Sequence, residues 1–508
     1  MSAAFDQARR LSIQLTEIAS VNGTPGEQTI IDFLDEYLRP AAVRGEVRVF
    51  RIPCPDDPYG RTTLLAHRQG RLPHGVLMFG HTDTVGTSDY GPLEPLACRP
   101  EALTRAAAQG ALGPEAEARA RSGEWLFGRG LLDMKAGVAA TLLAFEQFIQ
   151  GNPDGHLFWA ATPDEEVGSA GIHALATWLQ AYTTSLGITV RAAINADFTG
   201  PTGTSRDWPW YMGSIGKVLL AVHVQGRPSH VGEPMQGLDP NAVVAAVTHR
   251  LVYNPAYQET VAGETTPVPV SLLQRDDKPF YDVQTAVSAS AYFNLLYMQR
   301  TPSELMERFR ATVQEAVDSV YARHPDRNRI PAMRVMTFQE LWDALTAEQR
   351  AQVLDGTAAI GDERERSRVM AARATALGTS DPVAVVYFAN GLIPAVHGSP
   401  DMEPDWAEAA REISARHGRT VALRHYYPYI SDLSFVAHSE DWTDSGFKSN
   451  YPVYQARPKS QTAILTKHVA MMGPWGIGAH RPDESVEMGR TFGVLPVALE
   501  SVCRRILT

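Results

Sequence analysis

Cysteine is scarce in this 508-residue chain, and Cys54, Cys98 and Cys503 form an odd, widely spaced set. None of the three has the close spacing of a metal-binding pair, so reduced thiols are expected rather than a disulfide framework. Long apolar runs are missing too. No stretch approaches the ~20 apolar residues that cross a bilayer. The opening segment MSAAFDQARRLSIQLTEIAS is interrupted by Asp6 and Glu17 and lacks the apolar core of a signal peptide. A cytoplasmic protein without a membrane partner is the expectation. Positive charge is in deficit, with a formal net charge of −11. That balance speaks against nucleic-acid binding, which draws its affinity from clustered Lys and Arg. Internal repeats and low-complexity tracts are absent as well, which excludes solenoids and tails.

What is present belongs to a folded enzyme-sized protein. Apolar residues make up 44% and charged residues 20%, a globular balance. A chain of this length exceeds one ordinary core, so at least two domains are predicted. In the first half, GVLMFG at 75–80, HLFWAATP at 156–163 and RAAINAD at 191–197 read as strands, with a helix in DMKAGVAATLLAFEQFI at 133–149. Such alternation predicts an α/β fold with a largely parallel sheet flanked by helices. Functional residues then gather just beyond the carboxyl ends of strands.

From Lys217 the texture changes. KVLLAVHVQG and TAVSASAYFNLLYM read as strands, LDPNAVVAAVTHRLV as a helix, and TPSELMERFRATVQEAVDSVYARH as a helix capped by Thr301 with Pro302 at its first position. A smaller α/β domain is expected here, with residues 325–380 largely helical and DPVAVVYFANGLIP a last strand. The Ala-rich segment 103–122 reads as a surface helix, and helices are predicted near 404–417 and from about Ser485.

Chemistry-bearing residues recur at the ends of the apolar runs. His81 and Asp83 lie in GHTDT directly after a strand, and a nearby carboxylate is how proteins fix the tautomer of a metal-binding imidazole. Asp133 lies in GRGLLDMKAG, Glu165 and Glu166 in ATPDEEVGSAG, Asp197 at the end of INAD, and His480 in the loop GPWGIGAH. Each alone has an ordinary explanation as a cap, loop acid or surface histidine. Their joint occurrence in one α/β pattern points to a thiolate-free N/O donor set suited to hydrolytic zinc, or to manganese or cobalt in its place.

In order and spacing these motifs resemble the aminoacylase and carboxypeptidase metallopeptidases, which include acetylornithine deacetylase and succinyl-diaminopimelate desuccinylase. The resemblance spans nearly the whole chain, and GRPSHVGEPMQGLDPNAV is similar to the family's lid motif. AYFNLLYMQRTPSELMERF and YYPYISDLSFV are most similar to its arginine-utilisation, Roc-type branch. The resemblance implies a zinc-exopeptidase-type catalytic domain over 1–213 and 394–508, with an inserted lid over 214–393 that in some relatives carries a homodimer contact. It implies two Zn2+ ions, with Mn2+ or Co2+ as substitutes. One would be held by His81, Asp133 and Asp197, the other by Asp133, Glu166 and His480. Asp83 would support His81, Glu165 would move the proton, and lid residue His230 would donate to the developing oxyanion. The implied activity is hydrolysis of an amide or peptide bond in a small amino-acid-derived substrate. Carbamoyl-amide hydrolysis and an inactive binding protein of the same fold stay open as alternatives. Where relatives often carry an Asp-x-Arg, this chain has Asn294-Leu295-Leu296, leaving Arg300 as the candidate contact for a substrate carboxylate.

Overall fold

The computed structural model describes all residues except 1, 2, 152, 153, 203, 204, 327, 329, 399–401, 438–444, 457–464 and 508. The chain divides into two compact units, one drawn from residues 1–214, 396–438 and 462–508, the other from 215–395 and 439–461. The borders thus differ from the predicted ones by one or two residues, and residues 439–461 change sides. The described part of that segment explains why. The Phe447 ring packs tilted at 45° with its centroid 4.9 Å from that of Phe388, and Tyr451 donates a 2.6 Å hydrogen bond to Glu363, both residues of the second unit. These contacts join distant parts of the chain and leave no local mark in the sequence.

The first unit is built on an eight-stranded sheet in the order Arg48–Pro53, Thr62–Arg68, His156–Thr162, His74–His81, Thr189–Asn195, Val469–Met471, Trp208–Tyr211, Val421–Arg424. Its centre is parallel, from His156–Thr162 across to Val469–Met471, while both flanks include antiparallel pairs. The fold is therefore α/β with a mixed, largely parallel sheet flanked by helices. Alternation along the strands divides the core. Leu64, Ala66, Val76, Met78, Trp159 and Ile194 pack into the main cluster with helices Ala3–Glu17, Gly26–Val43, Ala136–Gln150 and Leu495–Leu507. Intervening residues such as Leu65 and Phe158 are buried on the other face, where helix Ala170–Ser185 lies. Helix Ala136–Gln150 is apolar nearly all round and accordingly buried.

The second unit has a five-stranded sheet ordered Val270–Asp276, Ser288–Tyr297, Gly216–Gln225, Val383–Phe388, Arg334–Thr337. Helix Pro302–Arg323 begins as expected, with a reciprocal bond pair between Thr301 and Glu304. Within 325–380, helices Phe338–Ala344, Ala347–Leu354 and Glu363–Gly378 form.

Two local expectations fail. The 103–122 segment forms two helices, Pro100–Ala108 and Pro114–Arg121, separated where Gly110 and Gly113 take positive φ, and Leu103, Ala107 and Ala116 are buried. The predicted final helix is preceded by a strand, Ser485–Glu487, which pairs with Trp125–Phe127. The regular helix starts only at Leu495. Among the described residues no helix is long and apolar enough to cross a membrane.

Candidate metal centre

Three neighbouring parallel strands bring the chemistry together. His81 pairs with Thr162 and Phe79 with Asn195, so the strands end at nearly the same level. His81 closes its strand, Glu165 and Glu166 follow the second, and Asp197 follows the third. Asp133 enters from the turn that precedes helix Ala136–Gln150. His480 comes from a tight turn closed by Arg481 N–H to Gly478 C=O at 2.9 Å, with its own backbone at φ 62°. The Asp197 backbone is gripped from two sides by glycines. A Cβ on Gly137 would stand 2.0 Å from the Ala196 carbonyl oxygen, and one on Gly473 1.5 Å from that of Asp197.

Asp133 stands between the two imidazoles. Its Oδ1 is 3.0 Å from His81 Nε2 and its Oδ2 3.2 Å from His480 Nε2, which is also 3.0 Å from Glu166 Oε1. Glu165 Oε2 and Asp197 Oδ1 each lie 4.0 Å from His81 Nε2. The His81 tautomer is fixed by its other nitrogen. Nδ1 sits 3.1 Å from the Asp83 carbonyl, which can only accept, so Nδ1 carries the hydrogen. The Nε2 lone pair of a neutral ring then faces a carboxylate oxygen, a repulsion that either a second proton on Nε2 or a cation held between the two groups relieves.

The metal-free charge balance says the same. Against the cost of burial, His81 is raised well above its ordinary value by Asp133 and Asp83. His480 is raised to about 10, chiefly by its bonds to Asp133 and Glu166. Burial, reinforced by neighbouring negative charge, pushes Glu165 and Asp197 well above the usual carboxylate range and raises Glu166 as well. Asp432, also buried, is held at about 7 by its burial. Buried carboxyls outnumber the imidazoles that could neutralise them, a surplus that a divalent cation relieves. The spacing fits too: donors bound at ~2.0–2.1 Å around a tetrahedral ion stand ~3.3 Å apart. His81, Asp133 and Glu166 each offer one donor atom within 4.8 Å of the other two.

Asp83 does not face Asp133. It lies behind the cluster, 3.6 Å from His81 Nδ1, and its two oxygens accept the backbone N–H groups of Glu165 at 3.0 Å and Glu166 at 3.1 Å. One carboxylate therefore orients both the first histidine and the glutamate pair. His230 belongs to the second unit and is exposed. Its Nδ1 accepts the Gly232 N–H at 3.1 Å, so the neutral ring carries its hydrogen on Nε2 and presents a donor. Arg300 donates to the backbone carbonyls of Tyr257 and Gln258 at 3.2 and 3.4 Å, so its guanidinium already serves the local chain.

Several side chains beside the cluster were not singled out from sequence. Asn22 bridges Asp83 and Asp164 at 3.0 Å each, and Arg61 reaches Asp164 at 2.8 Å. Tyr427 is buried among Phe198, Tyr211 and Tyr429, with ring centroids 5.3–5.8 Å away. Burial raises its hydroxyl, aided by the charges of Asp197 and Asp133. Asn22 and Arg61 carry no motif. Tyr427 and Asp432 lie in YYPYISDLSFV, where only the resemblance to one branch had drawn notice.

A model of peptidase family M20/M25/M40 matches residues 80–492, a span that includes both His81 and His480. This chain belongs to that family. Membership makes it a metal-dependent hydrolase. It is 31% identical to the protein YqjN of Bacillus subtilis over 534 aligned residues, covering 99% of this chain and 96% of the relative. Protein RocB of the same organism is 30% identical over 542 aligned residues, with 99% and 95% covered. An M20 family metallo-carboxypeptidase from Sulfolobus solfataricus shares the fold at TM-score 0.57 and 12% identity, with 99% of this chain and 100% of that one covered.

Proposed function

We propose that this M20/M25/M40 hydrolase cleaves an amide or peptide bond in a small amino-acid-derived substrate, an N-acyl amino acid or a dipeptide, using a two-zinc centre. The observation that carries the reading is Asp133, which turns one oxygen toward each of two histidine Nε2 atoms. His81, Asp133 and Asp197 would hold one ion, and Asp133, Glu166 and His480 the other, with Mn2+ or Co2+ as substitutes. Such a pair supplies, when bound, a lowered pKa for the attacking water, toward ~7, and polarisation of the scissile carbonyl.

The chain's own residues do the rest. Glu165 accepts the water's proton on its carboxylate and delivers it to the leaving nitrogen. Asp83 holds that glutamate through its backbone N–H and keeps the His81 hydrogen on Nδ1. His230 donates its Nε2–H to the carbonyl oxygen as that oxygen becomes negative. Phe198 and Tyr429, half-buried and exposed respectively, give the substrate an aromatic wall. A role in arginine catabolism goes with the likeness to RocB, a cytoplasmic location with the three free thiols, and a homodimer with the second unit.

The test is a panel of N-acyl amino acids, carbamoyl amino acids and dipeptides offered to protein loaded with zinc or manganese, beside a count of bound metal. About two equivalents per chain and turnover of an N-acyl amino acid or dipeptide are expected. One equivalent or none after saturation overturns the two-metal reading, and turnover confined to carbamoyl substrates overturns the substrate class.

A further inference from the structure

Arg129 and Glu484 are a fully buried ion pair beside the cluster, with Arg129 Nη1 3.0 Å from Glu484 Oε2. Burying two charges costs several kcal/mol before their attraction is counted, so such a pair is weak evidence for stability by itself. What the pair holds is more telling. The other Glu484 oxygen accepts the backbone N–H of Leu132 at 3.1 Å and of Asp133 at 3.3 Å. The Glu484 carbonyl accepts the Gly128 N–H at 3.1 Å, and its own N–H returns to the Arg481 carbonyl at 3.0 Å. Glu484 thus ties the turn that carries His480 to the turn that carries Asp133. Arg129 extends the tie to a third loop, since Nε donates to the Gly86 carbonyl at 3.2 Å and Nη2 meets Asp89 Oδ2 at 2.5 Å, three and six residues past Asp83. Its guanidinium is braced against the Tyr90 ring, 5.0 Å from the centroid.

We propose that Glu484, held by Arg129, is a positioning residue that sets the separation of Asp133 and His480 and thereby the affinity of the centre for its metal. It touches no substrate. It acts by fixing the backbone of one donor and, four residues away, the turn of the other. The inference rests on the metal reading of the site.

The test measures zinc affinity of the metal-free protein by competition with a chromophoric chelator, together with kcat, KM and the melting temperature without metal. Glu484→Ala should weaken at least one zinc equivalent by ~10–100-fold, the range found when an outer partner of a metal ligand is removed. Glu484→Gln keeps an acceptor oxygen for the two N–H groups and loses only the ion pair, so its loss should be smaller, on the order of 3–10-fold. In both, kcat at subsaturating zinc should fall while KM holds. Wild-type zinc affinity in Glu484→Ala, with only its melting temperature lowered, would make the pair structural and overturn the proposal. Should Glu484→Ala fail to fold, wild-type affinity in Glu484→Gln does the same. Native protein that binds no zinc overturns the metal reading and the positioning role together.

Discussion

The residues around Asp133 and the loop around His230 are built in opposite ways. The first group lies at the ends of central strands, largely buried, with Asp83 accepting N–H groups from the glutamate pair and glycines packed against the Asp197 backbone. The second is a surface loop joined to residues 283–285 by a few bonds, from Val231 N–H to the Val283 carbonyl and between Ser229 and Thr285, among exposed Val231, Phe280, Tyr281 and Val283. A site that must hold ions needs donors fixed to within fractions of an ångström, and rigid elements supply that. A group that meets the substrate only in passing can sit on a segment of low local stability.

Substitutions can break this contrast, and the largest effect should come from the glutamate pair. Glu165→Gln should lower kcat by ~10²–10⁴-fold with metal content unchanged, while Glu166→Gln should lose metal as well. Metal analysis beside turnover checks the assignment, and metal retained in both with only Glu166→Gln inactive would exchange the two roles. For the exposed loop, His230→Ala should cost roughly 10²–10³-fold in turnover while metal content and melting temperature stay at wild-type values. Wild-type turnover on a verified substrate would reduce His230 to a surface residue.

A glycine pair sharpens the contrast in rigidity. Gly473→Ala drives a methyl into the Asp197 carbonyl. Overpacking of this kind costs ~1–3 kcal/mol, or several degrees of melting temperature. Gly232→Ala meets only the exposed His230 ring, Nδ1 at 3.2 Å and Cε1 at 3.5 Å, and should shift melting by about 1 °C or less. Equal shifts in the two variants would erase the distinction.

An effect confined to acid pH should be shared by both units. His67 in the first is depressed to about 3 and His223 in the second to about 4, each chiefly by burial, from an ordinary value of 6.5. Both fold in the neutral form, so each contributes stability that is fully present above about 6.5 and lost as pH falls toward these values. Melting curves between pH 7 and 4 should slope downward, and His67→Gln should flatten the slope. A curve unchanged by that variant would mean that other groups set the acid limb.

Much of the first unit was legible because its signals are local. An apolar run followed at once by His81, Glu165 or Asp197 needs only the rule that parallel strands gather their carboxyl ends. His480 was legible through its glycine loop and the family resemblance. Glu484, four residues further on, was not, because its partner Arg129 is 355 positions away and only the folded chain joins them. The same reason hid the transfer of residues 439–461 to the second unit, which rests on packing of Phe447 and Tyr451. The strand Ser485–Glu487 was read as helix because three residues are too few for an alternation to show.

The strand order also dictates a sequence of events in synthesis. Val469–Met471 lies between Thr189–Asn195 and Trp208–Tyr211. The amino-terminal half therefore emerges from the ribosome with a gap in its main sheet that stays open until more than 450 residues have been made. By then all of 215–395 is available to collapse on its own, through pairings that are closer in the chain. The cluster around Asp133 is consequently completed late, since His480 follows the gap-filling strand by only nine residues and precedes only the strand Ser485–Glu487 and the closing helix Leu495–Leu507. A nascent chain halted before Val469 would expose the flanks of that gap to any strand that could fill it.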